Sequence, residues 1–345
     1  MFQLNATPSR TSLINNTEML FFSGYAYLGM NHQPQFITNV QKGIELYGTV
    51  FPSSRISNTQ LKIYAETENI LTELTQTADT VLMQSGFTAG KASVESIAEG
   101  SCFFHAPFCH PAIRTNHNSV LQFTDWANET IDSINNNHYN LPPIILSDSL
   151  NQLTAEVYDF SFLNTIEKHV ICIIDDSHGM GLLGNNGEGI SSRLPRKENI
   201  EYIITYSLSK AMNIQAGAIS CSDKSRADKI RSSTWYAATT PPSPSMLYAF
   251  CQSQDIYRQQ RIMLDRNKKL LQDLFANRKD IHFHKELPVF IFPEENDEAF
   301  FAKQGIIISS FAYPDPKGKK INRAVINALH TDADLQKLVD AMNAF

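Results

Sequence analysis

The feature that most constrains the fold is an apolar run that ends in two acids. Residues 170–174 are apolar at every position, and Asp175 and Asp176 follow directly. Such a run predicts a strand over residues 170–175 that is covered on both faces, as in a parallel sheet. Similar runs alternate with helical segments; the runs are 80–84, 144–147, 202–207 and 216–220, and two of the helices are 87–99 and 160–168. We therefore predict an α/β domain with a mostly parallel sheet.

The last third of the chain has a different pattern. Pro241 and Pro242 mark a loop, because proline does not continue a helix, and an amphipathic helix is predicted from about Pro244 to about Ala276. Beyond it the predicted elements are segregated as in an α+β domain: strands at 289–292, 306–309 and 323–327, helices at 298–303 and 333–343. We predict three parts: an N-terminal segment (1–40) that packs on the small domain, a large α/β domain (41–238), and a final part (239–345) with a loop, the long helix and the small domain.

Charge and cysteine usage exclude several classes of protein. With 29 basic and 35 acidic side chains the net charge is −6, which does not suit a nucleic-acid binder. No run of 18 apolar residues predicts a membrane span, and the first 16 residues lack the pattern of a secretory signal. The five cysteines form no C-x-x-C pair and the ten histidines no H-E-x-x-H motif. We expect a cytoplasmic protein with reduced thiols and no metal.

Polar residues follow three of the predicted strands, where ligands bind in open α/β sheets. The three stretches are 85–87 (Ser-Gly-Phe), 175–179 (Asp-Asp-Ser-His-Gly) and 207–210 (Ser-Leu-Ser-Lys). Each has an ordinary structural explanation: a strand-to-helix turn, a helix-capping aspartate and a surface lysine. The glycine-rich phosphate loops of NTPases and dinucleotide-binding folds are absent.

Taken together, these strand ends offer an acid, a histidine, a lysine and phosphate donors, which are the groups that pyridoxal phosphate requires. The chain resembles the α-oxoamine synthases, a family within the fold-type I pyridoxal-phosphate enzymes. The resemblance rests on stretches that occur in the family's order: Tyr27-Leu28-Gly29-Met30, Ser54-Arg55, Ser85-Gly86-Phe87, Asp175-Asp176-Ser177-His178-Gly179, Ser207-Leu208-Ser209-Lys210, Pro241-Pro242, and Arg323 with His330-Thr331. It implies a large α/β domain with a smaller α+β C-terminal domain, in a homodimer with active sites at the interface.

The resemblance also assigns roles to individual residues. It implies that Lys210 binds the cofactor covalently and moves a proton, while Asp175 pairs with the pyridine nitrogen. His178 would hydrogen-bond the phenolic oxygen, and His110 would contact the ring, although His105 also fits that position. The phosphate would be bound by Gly86, Phe87 and Ser207, with Thr239 and Thr240 contributed by a second subunit. Arg323 would bind the substrate carboxylate.

The implied activity is a decarboxylating condensation of an amino acid with an acyl-CoA. Four positions depart from the family's usual residues: Ala26, Tyr64, Gly90 and Asp148 stand where asparagine, histidine, asparagine and glutamate are common. These departures bear on which amino acid and acyl donor the site accepts more than on the type of reaction.

Three other functions stay open. The first is an aminotransferase that uses the same cofactor with a keto acid. The second is a serine acyl hydrolase, because Ser207 and Lys210 fit an S-x-x-K motif, although the K-T-G motif is missing. The third is an inactive partner subunit of a synthase heterodimer, which the presence of Lys210, Asp175 and His178 argues against.

Overall fold

Two six-stranded sheets and a two-stranded ribbon organise the chain, and the computed structural model describes residues 2–115, 121–294, 297–312 and 317–344. The strands are β1 (Thr11–Ile14), β2 (Thr17–Phe22), β3 (Asp79–Met83), β4 (Phe103–His105), β5 (Ile144–Asp148), β6 (Leu150–Asn151), β7 (Glu156–Val157), β8 (Val170–Asp175), β9 (Ile200–Ser207), β10 (Gly217–Cys221), β11 (His282–Phe283), β12 (Val289–Phe292), β13 (Ile306–Phe311) and β14 (Ile321–Val325). The helices are α1 (Pro34–Tyr47), α2 (Lys62–Thr75), α3 (Gly86–Glu95), α4 (Phe123–Asn136), α5 (Lys224–Arg231), α6 (Thr234–Ala238), α7 (Pro244–Cys251), α8 (Gln254–Leu274), α9 (Glu298–Lys303) and α10 (Asp332–Asn343). Short 3-10 helices span Met30–His32, Phe160–Thr165 and Gly189–Arg193.

The larger domain is built on a sheet with the strand order β3-β10-β9-β8-β5-β4. Strands β4, β5, β8 and β9 run parallel, and β10 lies antiparallel between β9 and β3. Because β10 is reversed against both neighbours, β3 and β9 point the same way. The carboxyl ends of β3, β9, β8 and β5 therefore meet at one edge.

The second sheet joins the two ends of the chain, in the order β1-β2-β13-β14-β12-β11. Strand β2 pairs in parallel with β13, so the N-terminal hairpin extends the sheet of the C-terminal part. The predicted strands and helices of this region all occur, with ends shifted by a few residues. The domain boundaries at residues 40 and 238 stay a prediction.

The long helix predicted from Pro244 to Ala276 is wrong, because the structure has two helices, α7 and α8, in its place. The break lies at Gln252 and Ser253. Asn39 of α1 donates its side-chain N–H groups to the carbonyl of Gln252 and the hydroxyl of Ser253, at 3.3 and 3.0 Å. Asn39 lies more than 200 residues before this break, and its side chain stabilises the end of α7. The local pattern of apolar residues does not predict this helix end.

The helix predicted at 160–168 is also wrong and is a 3-10 helix over Phe160–Thr165. Carbonyls near its end bond to distant side chains instead of continuing a helix. Asn135 donates to the carbonyl of Thr165 at 2.9 Å, and Lys197 donates to the carbonyl of Ile166 at 2.6 Å. Among the helices of the described ranges, none is long and apolar enough to cross a membrane.

Candidate active site

The strand register brings the predicted site residues to one edge of the larger sheet. Asp148, the last residue of β5, pairs directly with Asp175, the last residue of β8. Gly217 at the start of β10 pairs with both Ser207 and Met83, which end β9 and β3. The stretches that follow these strands therefore lie side by side, as the sequence predicts.

Lys210 lies just beyond β9 and lines a cavity of about 260 Å³ together with His110, Asp148 and His178. Burial lowers the pKa of the Lys210 amine, although the nearby Asp175 and Asp148 oppose that shift. A larger share of neutral amine is what a nucleophilic or proton-accepting lysine requires.

The carboxylate of Asp175 lies next to His110 of the cavity wall and is only 6% exposed. One of its oxygens accepts the backbone N–H of Ser177 at 2.9 Å, and the other lies 3.6 Å from Nδ1 of His110. Its neighbour Asp148 accepts the backbone N–H of His110 at 3.1 Å. Burial and the proximity of Asp175 raise the pKa of Asp148 well above its usual value. Asp175 is the carboxylate available to hold a cationic partner.

His178 is held in one tautomer by Tyr27, a residue for which the sequence pattern predicts no role of its own. The Tyr27 oxygen lies 2.9 Å from Nδ1 of His178. Burial raises the pKa of Tyr27 and lowers that of His178 well below its usual value, so the phenol keeps its proton and the imidazole is neutral. A buried phenol needs an acceptor, and in the described part of the chain Nδ1 is the one that Tyr27 has. The single N–H of His178 is therefore on Nε2, as a donor.

The ring of His110 reaches the cavity, whereas His105 on β4 does not line it. Nδ1 of His110 accepts the backbone N–H of Ala112 at 3.2 Å, and burial lowers the pKa of the ring. His110 is thus a neutral imidazole whose contact with Asp175 is not an ion pair. His105 instead contacts the Thr115 hydroxyl at 2.7 Å.

The departure at Gly90 allows the His110 segment to pack on α3. A Cβ atom at Gly90 would lie 2.8 Å from the Cβ of Ala112, so a larger residue there would displace that segment. Tyr64, where a histidine is common in the family, is a buried structural residue. Its hydroxyl donates to the carbonyl of Pro242 at 3.2 Å, and the Arg55 guanidinium lies 4.3 Å from its ring centre.

The start of α3 and Ser207 form a cradle suited to a phosphate group. Ser85 caps α3 by accepting the N–H of Thr88 at 3.2 Å, which leaves the N–H groups of Gly86 and Phe87 without an acceptor inside the helix. A Cβ atom at Gly86 would lie 2.7 Å from the Cβ of Ser207, so only glycine allows this approach. The Ser207 hydroxyl lies 2.7 Å from that of Ser209, in the same corner.

Thr239 and Thr240 do not line the cavity of their own chain. The Thr239 hydroxyl donates to the carbonyl of Trp235 at 2.6 Å, and Thr240 is exposed after α6. One chain alone therefore does not bring this pair to Lys210.

Arg323 lies in β14 behind the cavity wall and is 1% exposed. Its guanidinium donates to the Tyr25 hydroxyl at 2.9 Å and to the carbonyl of Gln152 at 3.2 Å, and its Nε has no partner within the described residues. Tyr25 and Gln152 both line the cavity. A substrate carboxylate would reach Arg323 by displacing these two partners.

The arrangement fits pyridoxal phosphate. It provides the buried Lys210 with its lowered pKa, the buried carboxylate of Asp175, and the imidazole of His178 with its N–H on Nε2. It also provides the start of α3, which approaches Ser207 closely because residue 86 is glycine. The lysine can hold such a cofactor covalently, and the carboxylate can pair with its ring nitrogen. The imidazole N–H can bond its phenolic oxygen, and the helix start can bind its phosphate.

The comparisons with known proteins agree over nearly the whole chain. Residues 17–342 match the family described as aminotransferase class I and II. An 8-amino-7-oxononanoate synthase from Aliivibrio fischeri is 23% identical over 357 aligned residues, covering 96% of this chain and 90% of that protein. One from Petrotoga mobilis is 24% identical, covering 93% and 87%. A solved serine palmitoyltransferase from S. paucimobilis superposes with a TM-score of 0.86 at 16% identity, covering 100% of this chain and 92% of the other.

Proposed function

The chain belongs to the class I and II aminotransferase family, and from this premise we propose that it is a decarboxylating α-oxoamine synthase. Its reaction would join an amino acid to an acyl thioester and release coenzyme A and carbon dioxide. The fold is that of the fold-type I pyridoxal-phosphate transferases, as predicted. The near full-length relatives named 8-amino-7-oxononanoate synthase favour alanine and a pimeloyl thioester as substrates, a step of biotin formation.

Pyridoxal phosphate, when bound, supplies an electron sink that stabilises negative charge on the α-carbon of the amino acid. Lys210 would hold it covalently and Asp175 would keep its ring nitrogen protonated. His178 would donate from Nε2 to the phenolic oxygen, and His110 would contact the ring. The N–H groups of Gly86 and Phe87, with the hydroxyl of Ser207, would bind the phosphate, as described for their cradle.

The amine of Lys210 is the group that accepts the α-proton in this proposal. The lowered pKa gives it a neutral form at moderate pH, which can accept a proton. Arg323 would bind the substrate carboxylate in two parallel hydrogen bonds after its contacts to Tyr25 and Gln152 are exchanged.

We infer that the working form is a homodimer. Large apolar side chains are exposed along residues 37–56, with Leu46 64%, Val50 54% and Ile56 64% exposed. Exposed apolar groups of this size are typical of an interface. A second copy covering them would bring its own Thr239 and Thr240 to the phosphate cradle. The five free cysteines suit a reducing compartment, and the cytoplasm is our proposal for its location.

Sedimentation of a Leu46→Glu variant tests the dimer. We expect a monomer with weaker cofactor binding, whereas Leu13→Glu should stay dimeric. Leu13 is a matched control because it is 59% exposed on β1, in the other sheet. A Leu46→Glu variant that sediments as the wild type contradicts this interface.

The single observation that carries the proposed function is the set Lys210, His110 and His178 around one cavity, with the buried Asp175 next to His110. Its test is the release of coenzyme A thiol and carbon dioxide on mixing the holoenzyme with candidate amino acids and acyl-CoA. We expect equal amounts of thiol and carbon dioxide, and no release of either when the amino acid is left out. The same panel separates glycine acetyltransferase and serine palmitoyltransferase activities by their substrates.

An aminotransferase is the second candidate, because the family description carries that name. It would transfer the amino group to a keto acid without coenzyme A. Amino transfer in the absence of acyl-CoA, with no thiol released in its presence, would establish that activity and refute the synthase.

A further inference from the structure

Arg114 lines the same cavity as Lys210 and has no role in the reaction described so far. Arg114 is half-buried, and within the described residues it takes part in no ion pair and no side-chain hydrogen bond. Two other half-buried arginines do have carboxylate partners, Arg226 with Glu201 and Arg231 with Asp79. A half-buried guanidinium that faces a cavity without a partner is suited to bind an anion from outside the chain.

The wall around Arg114 is otherwise largely apolar. It includes the side chains of Phe108, Pro111, Leu150 and Leu153. An alkyl chain would bury apolar surface against these groups, and a short ligand with both an alkyl chain and an anion would use both parts of the wall.

The local charges leave Arg114 as the fixed cation of this wall. Burial lowers the pKa of both His110 and His178, so the two imidazoles are neutral at moderate pH. Burial and the nearby Asp175 raise the pKa of Asp148, which weakens its negative charge beside the cavity. A guanidinium stays charged at all ordinary pH values, so it can attract an anion throughout the working range.

We propose that Arg114 binds a carboxylate at the far end of the acyl chain, so that the enzyme selects a dicarboxylic monothioester; this rests on the proposed condensation. The two arginines then have separate ligands. Arg323 takes the carboxylate of the amino acid, and Arg114 takes the distal carboxylate of the acyl donor. A pimeloyl group has such a carboxylate at the end of a five-methylene chain.

The phosphates of coenzyme A are the other anions that a thioester would bring. The cavity wall that Arg114 shares with Phe108, Pro111 and Leu153 is apolar, which suits an alkyl chain and not the polar nucleotide of coenzyme A. The carboxylate of the acyl chain is therefore the anion that we assign to Arg114.

The test compares pimeloyl-CoA with octanoyl-CoA, which has a similar length but no carboxylate. For the wild-type holoenzyme we expect kcat/KM to favour pimeloyl-CoA, and Arg114→Met to lose about ten- to a hundredfold of that preference. Turnover of octanoyl-CoA should change little, and Arg114→Lys should retain part of the preference. Arg258→Met is the matched control, because Arg258 is an exposed arginine on α8 paired with Asp255. If Arg114→Met lowers kcat/KM equally for pimeloyl-CoA and octanoyl-CoA, or for neither of them, the proposal is overturned.

Calorimetry gives a readout that does not depend on turnover. Pimelate should bind the wild-type holoenzyme more tightly than heptanoate, and Arg114→Met should abolish the difference. An undiminished difference in Arg114→Met overturns the role of Arg114, even if condensation occurs. If no thioester releases thiol, the proposed condensation fails, and the pimelate titration still decides whether Arg114 binds a carboxylate.

Discussion

Replacing Tyr27 with phenylalanine removes the hydroxyl that determines where His178 carries its proton, and we expect weaker cofactor binding in an intact fold. In the wild type, the Tyr27 hydroxyl lies 2.9 Å from Nδ1. Without it, Nδ1 becomes a buried acceptor with no donor. The proton of the imidazole is then no longer fixed on Nε2, and where it moves to Nδ1, Nε2 cannot donate to the phenolic oxygen of the cofactor.

The size of the effect follows from the burial of this pair. Tyr27 is 1% exposed, so water does not replace its hydroxyl. Leaving a buried acceptor unsatisfied costs on the order of 1–3 kcal/mol. We therefore expect the dissociation constant of pyridoxal phosphate to rise by about ten- to a hundredfold in Tyr27→Phe.

Two measurements check this prediction. Equilibrium dialysis gives the dissociation constant, and long-range proton–nitrogen NMR of histidine-labelled protein gives the tautomer of His178, with His178→Gln used to assign the signal. Tyr25→Phe is the matched control, because the Tyr25 hydroxyl accepts from Arg323 and not from His178. If Tyr27→Phe retains the Nε2 proton and the wild-type affinity, then Tyr27 does not position His178.

Three further predictions concern charged groups of the site. Asp175→Asn should retain the cofactor but lose several tenfold factors in rate, each worth about 1.4 kcal/mol, because an amide does not hold the ring nitrogen protonated; near-normal turnover in steady-state assays contradicts that role. Arg323→Lys should raise the dissociation constant of the amino acid by about ten- to a hundredfold, since an ammonium lacks the paired donors of a guanidinium; an unchanged midpoint in a spectral titration places the carboxylate elsewhere. Burial raises the pKa of Asp176 from 3.8 to about 7. The folded protein thus retains a proton that the unfolded chain releases, and this residue lowers stability as the pH rises from about 4 to about 7. Asp176→Asn should remove that dependence, and urea unfolding across this window with an undiminished slope refutes the assignment.

The sequence predicts best those parts of the fold that depend on local pattern. The apolar run before Asp175 predicted β8 with its observed bounds, because a strand covered on both faces is apolar at every position. The turn at Ser85 and Gly86 was predicted to open a helix, and α3 begins at Gly86 with Ser85 as its cap.

The parts that the sequence did not predict depend on contacts between distant segments. The end of α7 is stabilised by Asn39, which lies in α1. The tautomer of His178 depends on Tyr27, and the pattern around Tyr27 identified a family segment without showing which side chain its hydroxyl would meet. Arg323 was predicted to bind a carboxylate, but its present partners are a phenol and a carbonyl from two other segments.

The most direct test of the account is to identify the lysine that binds the cofactor. The purified holoenzyme is reduced with borohydride, digested and mapped by mass spectrometry, beside a Lys210→Ala variant of unchanged thermal stability. We predict that the pyridoxyl group is attached to Lys210, at the edge of the sheet beyond β9, and that Lys210→Ala carries no such group. A pyridoxyl group on another lysine, such as Lys91 of α3, or an equal yield of adduct in Lys210→Ala, would contradict the account.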